Sequence, residues 1–195
     1  MMKTAKLLFV MLAMALLAGA CKKDNGDSDD DGTPNDSDYF VEFKANGEQQ
    51  KYTTNALSQI MAPGSDQLYS AVLQGYGDYP TNADKNLLSI IIWNTEPITT
   101  TTYLNDNWVE KSDESQVPQV VMNYLDANKN AYLSQKVLIA IPPFDKVVSD
   151  VKVNISVLDQ DHISGTFSGT LYNVTDATFS TVVKITDGKF NLKKY

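Results

Sequence analysis

The sequence predicts an all-β fold, a two-sheet antiparallel β-sandwich over residues 39–195. Three observations predict it: from Tyr39 onward the hydrophobic period is two, short apolar runs recur at roughly 10-residue spacing, and Gly and Asn turn signals separate them. Tyr39, Val41, Phe43 and Ala45 alternate with Phe40, Glu42 and Lys44, which puts one set on a buried face. Asn46-Gly47 is a hairpin-turn dipeptide and leads into a strand over 48–53. Residues 68–74 and 87–93 are apolar strand candidates. The second, LLSIIIW, is apolar on both faces and suits a central strand covered on both sides. The threonine-rich stretch 98–103 fits a strand better than a helix. Residues 120–134 fold back on themselves around 126–130; a helix over Val120, Val121, Tyr124 and Leu125 is the second choice.

The carboxy-terminal third alternates most clearly. Val151, Val153, Ile155 and Val157 face one way, and Lys152, Asn154 and Ser156 the other. Ile163, Gly165, Phe167, Gly169 and Leu171 alternate with Ser164, Thr166, Ser168 and Thr170. A strand over 177–186, a turn at Asp187-Gly188 and a strand over 189–195 with Phe190 and Leu192 inward complete the pattern.

Residues 1–20 have a different character. Lys3 and Lys6 precede an apolar run over 7–17, and Ala18-Gly19-Ala20 follows it. The run is short for a bilayer span, which needs about 20 apolar residues. A basic start, a short apolar core and small residues at the exit describe an export signal. Cys21, the single cysteine, stands directly behind it. This arrangement resembles the bacterial lipobox, with Ala18 where leucine is usual. The resemblance implies that the Cys21 sulfur carries diacylglycerol and becomes the first residue of the mature chain. Several acyl chains anchor a protein firmly where one does not.

Residues 21–38 read as an acidic, disordered tether, because nothing in them offsets the entropy of ordering. Asp27, Asp29, Asp31 and Gly32 copy the start of an EF-hand loop, with Asp38 at its twelfth place. Aspartate replaces the expected glutamate, Pro34 takes the apolar position and no helix precedes the loop. The stretch therefore reads as a solvated linker, and neither a metal nor a cofactor is implied.

The 195 residues carry a net charge of −8, and every basic residue is lysine. An acidic chain without guanidinium forks argues against nucleic-acid and phosphate-rich partners. One cysteine forbids an internal disulfide, so the hydrophobic core must hold the fold.

Phe43-Lys44-Ala45-Asn46-Gly47, the strand from Ile163 through Gly169, and Ile185-Thr186-Asp187-Gly188-Lys189-Phe190 resemble a family of small β-rich Bacteroidetes lipoproteins of the DUF6252 type. The resemblance implies a lipobox, a polar tether and one β domain held at the outer membrane. The acidic run behind Cys21 is similar to the surface-export signals of such lipoproteins, which implies display on the cell surface. The family brings no activity and no functional residues with it.

Little in the chain points to catalysis. His162, the sole histidine, begins a strand, and Asp159 and Asp161 before it read as a hairpin turn. No nucleophile elbow or phosphate loop occurs. The aromatic side chains Tyr76, Tyr79, Trp93, Tyr103, Trp108, Tyr124 and Tyr132 fall in loops or at strand ends, and sugar rings stack on such groups. Tyr76, Tyr79 and Trp108 are the candidate ligand-binding residues. The expected function is a non-enzymatic binding or structural module on a lipid anchor, with a glycan or protein partner. The alternatives are a carbohydrate-binding accessory of a glycan-uptake system and, behind it, a hydrolase with a carboxylate or His162 centre.

Overall fold

The structure is a computed structural model and describes residues 39–134 and 150–195. Cys21, the export segment, the tether and its Asp27–Asp38 motif lie outside the described residues.

Thirteen strands follow one another among the described residues: β1 (Phe40–Ala45), β2 (Glu48–Tyr52), β3 (Thr54–Met61), β4 (Tyr69–Tyr76), β5 (Leu87–Asn94), β6 (Thr102–Leu104), β7 (Trp108–Glu110), β8 (Gln116–Pro118), β9 (Val120–Leu125), β10 (Ala131–Leu133), β11 (Lys152–Leu158), β12 (His162–Asn173) and β13 (Val182–Lys194). No helix occurs among the described residues. Eleven strands form one sheet, and β7 and β8 form a separate ribbon.

The large sheet folds over into two facing layers. The first runs β2-β1-β13-β12-β11-β6 and the second β3-β4-β5-β9-β10. Two corners join them. At one, β10 pairs with the end of β12, Tyr132 opposite Asn173. At the other, Lys193 and Lys194 of β13 pair in parallel with Leu57 and Ser58 of β3. The other strand pairings are antiparallel. Phe43 of β1 meets Tyr124 of β9 across the interior at 5.5 Å. Phe43, Ile92, Met122, Val153, Ile163, Leu171 and Leu192 are fully enclosed there. Such burial stabilises the fold by about 1.5–3 kcal/mol per large apolar side chain.

The expected alternation holds in β1, in β12 and through most of β13. Asn46 and Gly47 both take positive φ (50° and 89°), as the tight turn between β1 and β2 requires. Residues 120–134 form the β9–β10 hairpin, not a helix.

Elsewhere the structure corrects the sequence. Asp187-Gly188 is a bulge inside β13, not a turn. Asp187 has φ 54°, and the register shifts against both β1 and β12 at this point. An aspartate at positive φ followed by glycine serves either geometry, and two flanking strands keep β13 running. Gly188 suits the bulge, because a Cβ there would meet the Phe167 carbonyl oxygen at 2.4 Å. Val157 is exposed, since a bulge between Ile155 and Val157 breaks the alternation of β11. Within 98–103 only Thr102 and Tyr103 are in a strand, and 177–181 precede β13 as a loop. Residues 54–61 form β3, a strand the apolar pattern leaves unassigned.

Candidate functional site: a tyrosine-lined cleft at one end of the sandwich

The Asn46-Gly47 turn sets the register of β1 and β2, placing Glu48 opposite Ala45, Gln50 opposite Phe43 and Tyr52 opposite Val41. Glu48, Gln50 and Tyr52 therefore share the inward face of a strand that is otherwise polar. The core continues toward this end as an aromatic column. The Phe43 ring meets Tyr52 edge-on at 5.4 Å and Tyr124 edge-on at 5.5 Å, and Tyr124 stacks on Tyr132 at 6.0 Å with 25° between planes. Ring pairs of this kind add about 0.5–1.5 kcal/mol beyond the area they bury.

Above the column the interior opens into a cleft of about 280 Å³. Tyr124 and Tyr132 form an apolar wall, and Asn46, Glu48, Gln50, Asn86 and Asn128 supply polar groups. Asp126 also lines it, but its carboxylate is committed to the β9–β10 turn, accepting from the backbone N–H groups of Asn128 and Asn130 at 2.8 Å each. Glu48 is exposed at the cleft and forms no ion pair among the described residues. The Tyr52 hydroxyl is buried, the residue only 3% exposed, and its hydroxyl neighbour is Tyr124, placed outside ordinary hydrogen-bond geometry. Burial, then the adjacent Tyr124, raises the Tyr52 phenol far above the usual tyrosine value. Burial also raises Tyr124, against a smaller opposing effect of Tyr52. Both phenols therefore stay neutral and can donate as well as accept.

The neighbouring β4–β5 loop is strapped down. Asp78 accepts from the Asn86 amide at 2.6 Å and pairs with Lys85 at 3.3 Å, and the Gly77 N–H donates to the Asn86 carbonyl at 2.7 Å. Lys129 in the β9–β10 turn pairs with Asp84 of this loop. Asn86 first, then Lys85, holds the Asp78 carboxyl below the usual aspartate value.

Two of the three candidate aromatics come together here. Tyr76 and Tyr79 lie 5.4 Å apart between centroids, at 52°, with Tyr76 on the outer side of β4. Trp108 starts β7, whose neighbour Asn107 joins Gln119 beside Trp93 and Asn94. That places Trp108 near the far end of the β4–β5 pair, where Tyr69 lies opposite Asn94. The eight-residue β4 separates the two places by about 23 Å, so the three do not form one platform. Tyr103 lies in the core, its hydroxyl donating to the Thr99 carbonyl.

His162 and Asp159 build the turn between β11 and β12. One Asp159 oxygen accepts from the backbone N–H groups of Asp161 and His162, each at 2.9 Å, and the His162 ring lies 2.9 Å from the other. No group of three His, Cys, Asp or Glu side chains able to hold a metal occurs among the described residues.

Sequence reasoning singled out Tyr124 and Tyr132 as aromatics but not Tyr52, Glu48 or Gln50. The missing signal was register: once Asn46-Gly47 closes a two-residue turn, Tyr52 must face inward with Val41. Comparison with protein-family models, with curated proteins and with solved structures finds no match.

Proposed function

We propose that residues 21–195 form a lipid-anchored binding module of the cell envelope, non-enzymatic and displayed at the surface of the outer membrane. The tyrosine-lined cleft is the ligand site in this reading. One observation carries it: an open cleft walled by two stacked tyrosine rings is rimmed by the polar side chains of Asn46, Glu48, Gln50, Asn86 and Asn128. An apolar wall with a few convergent polar groups around a cleft is the usual make-up of a small-ligand site. The placement rests on the leader before Cys21 and on the likeness to small Bacteroidetes lipoproteins.

The cleft also favours the more specific reading, a carbohydrate-binding accessory protein. A sugar offers apolar C–H faces to the Tyr124–Tyr132 wall and hydroxyls to Gln50, Glu48 and the asparagines. A glycan array probed with the full chain tests it. Retention is expected and is lost in Tyr132→Ala and weakened in Gln50→Ala, while Trp108→Ala binds as the parent does. Binding that survives Tyr132→Ala and fails in Trp108→Ala would reverse the assignment. Mass spectrometry of the native protein checks the anchor, with a diacylglyceryl group on Cys21 as the expected result and a bare thiol as the contrary one.

A further inference from the structure

The outward face of the first layer carries charge of the opposite sign to the chain. Against a net charge of −8, its strands present Lys44, Lys51, Lys152, Lys184, Lys189 and Lys193 outward. Only two carboxylates, Glu42 and Asp187, stand among them within the strands; Asp150 lies at the margin, held by Thr170.

Strand pairing sets these groups in rows. Lys51, Glu42, Lys189, Thr166 and Asn154 are successive cross-strand neighbours on β2, β1, β13, β12 and β11. The next row runs from Gln49 and Lys44, past Thr186 and the Asp187 bulge, to Ser168 and Lys152. With strands about 4.8 Å apart, Lys51 and Lys189 stand about 10 Å from one another. A shallow trough of about 710 Å³ crosses both rows. It lies on the side of β1 and β2 opposite to the tyrosine cleft, so the two sites are separate.

We propose that this face binds an acidic polysaccharide, a carboxylate-bearing glycan strand laid across β1, β13, β12 and β11. The lysines meet its carboxylates as point charges, and Ser164, Thr166, Ser168 and Thr186 meet its hydroxyls. Hydroxyl side chains between the lysines are what distinguish a polyhydroxylated polymer from a bare polyphosphate, for which the chain has no arginine fork. In the free protein Asp187 pairs with Lys44 at 2.8 Å and Glu42 with Lys189 at 3.7 Å. The incoming carboxylates take over these two lysines and leave Glu42 and Asp187 to solvent. Of the other outward cations, Lys51 lies over the Phe40 ring at 5.2 Å and Lys193 over the Tyr195 ring at 5.6 Å, while Lys152 and Lys184 have no ion-pair partner among the described residues.

That exchange predicts effects of both signs. In affinity electrophoresis, polygalacturonate in the gel retards the full chain, and its fully methyl-esterified form does not. Lys152→Gln with Lys189→Gln weakens retardation about tenfold. Glu42→Gln with Asp187→Asn strengthens it, because the competing carboxylates are gone; asparagine tolerates the positive φ at 187. All four positions point to solvent, so circular dichroism stays at the parent signal. Equal retardation by the esterified polymer, indifference to the lysine pair, or tighter binding to phosphatidylglycerol vesicles than to polygalacturonate would each overturn the proposal.

Discussion

The outer faces of the two layers contrast sharply. On the first layer β12 alternates between enclosed apolar or glycine positions and outward Ser164, Thr166, Ser168 and Thr170. On the second layer β5 is buried on both sides. Leu87 and Ser89 point away from the interior that Leu88 and Ile90 fill, yet are only 4% and 5% exposed. Gln74, Ser89 and Asn123 form a cross-strand row on that outward side, all buried. One layer thus has a wet and a dry side, whereas the centre of the other is dry on both. A wet face leaves polar side chains free for a ligand, and a dry one encloses them away from solvent.

Truncation on the two outer faces gives the largest test of this contrast. Leu87→Ala is expected to cost about 3 kcal/mol. Thr166→Ala, its counterpart on the wet face, is expected to stay within about 0.5 kcal/mol. Denaturant titration measures both, and equal losses would break the comparison. A second substitution probes the inner side of the wet layer. A Cβ on Gly165 would lie 2.0 Å from the Asn154 carbonyl oxygen and 2.8 Å from the Phe190 ring. Gly165→Ala should therefore cost about 2 kcal/mol in the same titration, and a neutral outcome would show slack where the structure has none.

The smallest effect is a pH dependence in the β12–β13 loop. Asp176 accepts from the Thr178 hydroxyl at 2.6 Å and from the N–H groups of Thr178 and Thr181 at 2.8 Å each. These bonds, the Thr178 hydroxyl foremost, hold its carboxyl far below the ordinary 3.8. A depressed folded-state value means that the contribution is fully present above the unfolded value and is lost as pH falls toward the folded one. Between about pH 4 and pH 2 the parent should lose protection of the Thr178 and Thr181 amides, and Asp176→Asn should show a flatter response. An identical slope in the two proteins would place the acid sensitivity elsewhere.

The same contrast explains what was readable from sequence. Where one face is wet, as in β1 and β12, period two is clean and the inward residues follow directly. The two-sided burial of β5 showed as a continuous apolar run, but the buried row of Gln74, Ser89 and Asn123 did not, since polar residues at those positions read as solvent-facing. Bulges hid from the pattern too. One extra residue at Asp187-Gly188 looked like a turn, and another near Ser156 moved Val157 outward. The cleft was half legible. Tyr124 and Tyr132 could be named as aromatics, but their assembly with Tyr52 depends on a hairpin register and on two layers meeting through Phe43.

Amide chemical-shift mapping during titration with the sugars retained on a glycan array tests the central claim most directly. Ligand binding in the tyrosine cleft predicts shifts at Asn46, Glu48, Gln50, Asn86 and Asn128, together with shifts at Tyr124 and Tyr132. Shifts confined to Trp108 and the β7–β8 ribbon, with Tyr124 and Tyr132 unchanged, would contradict it.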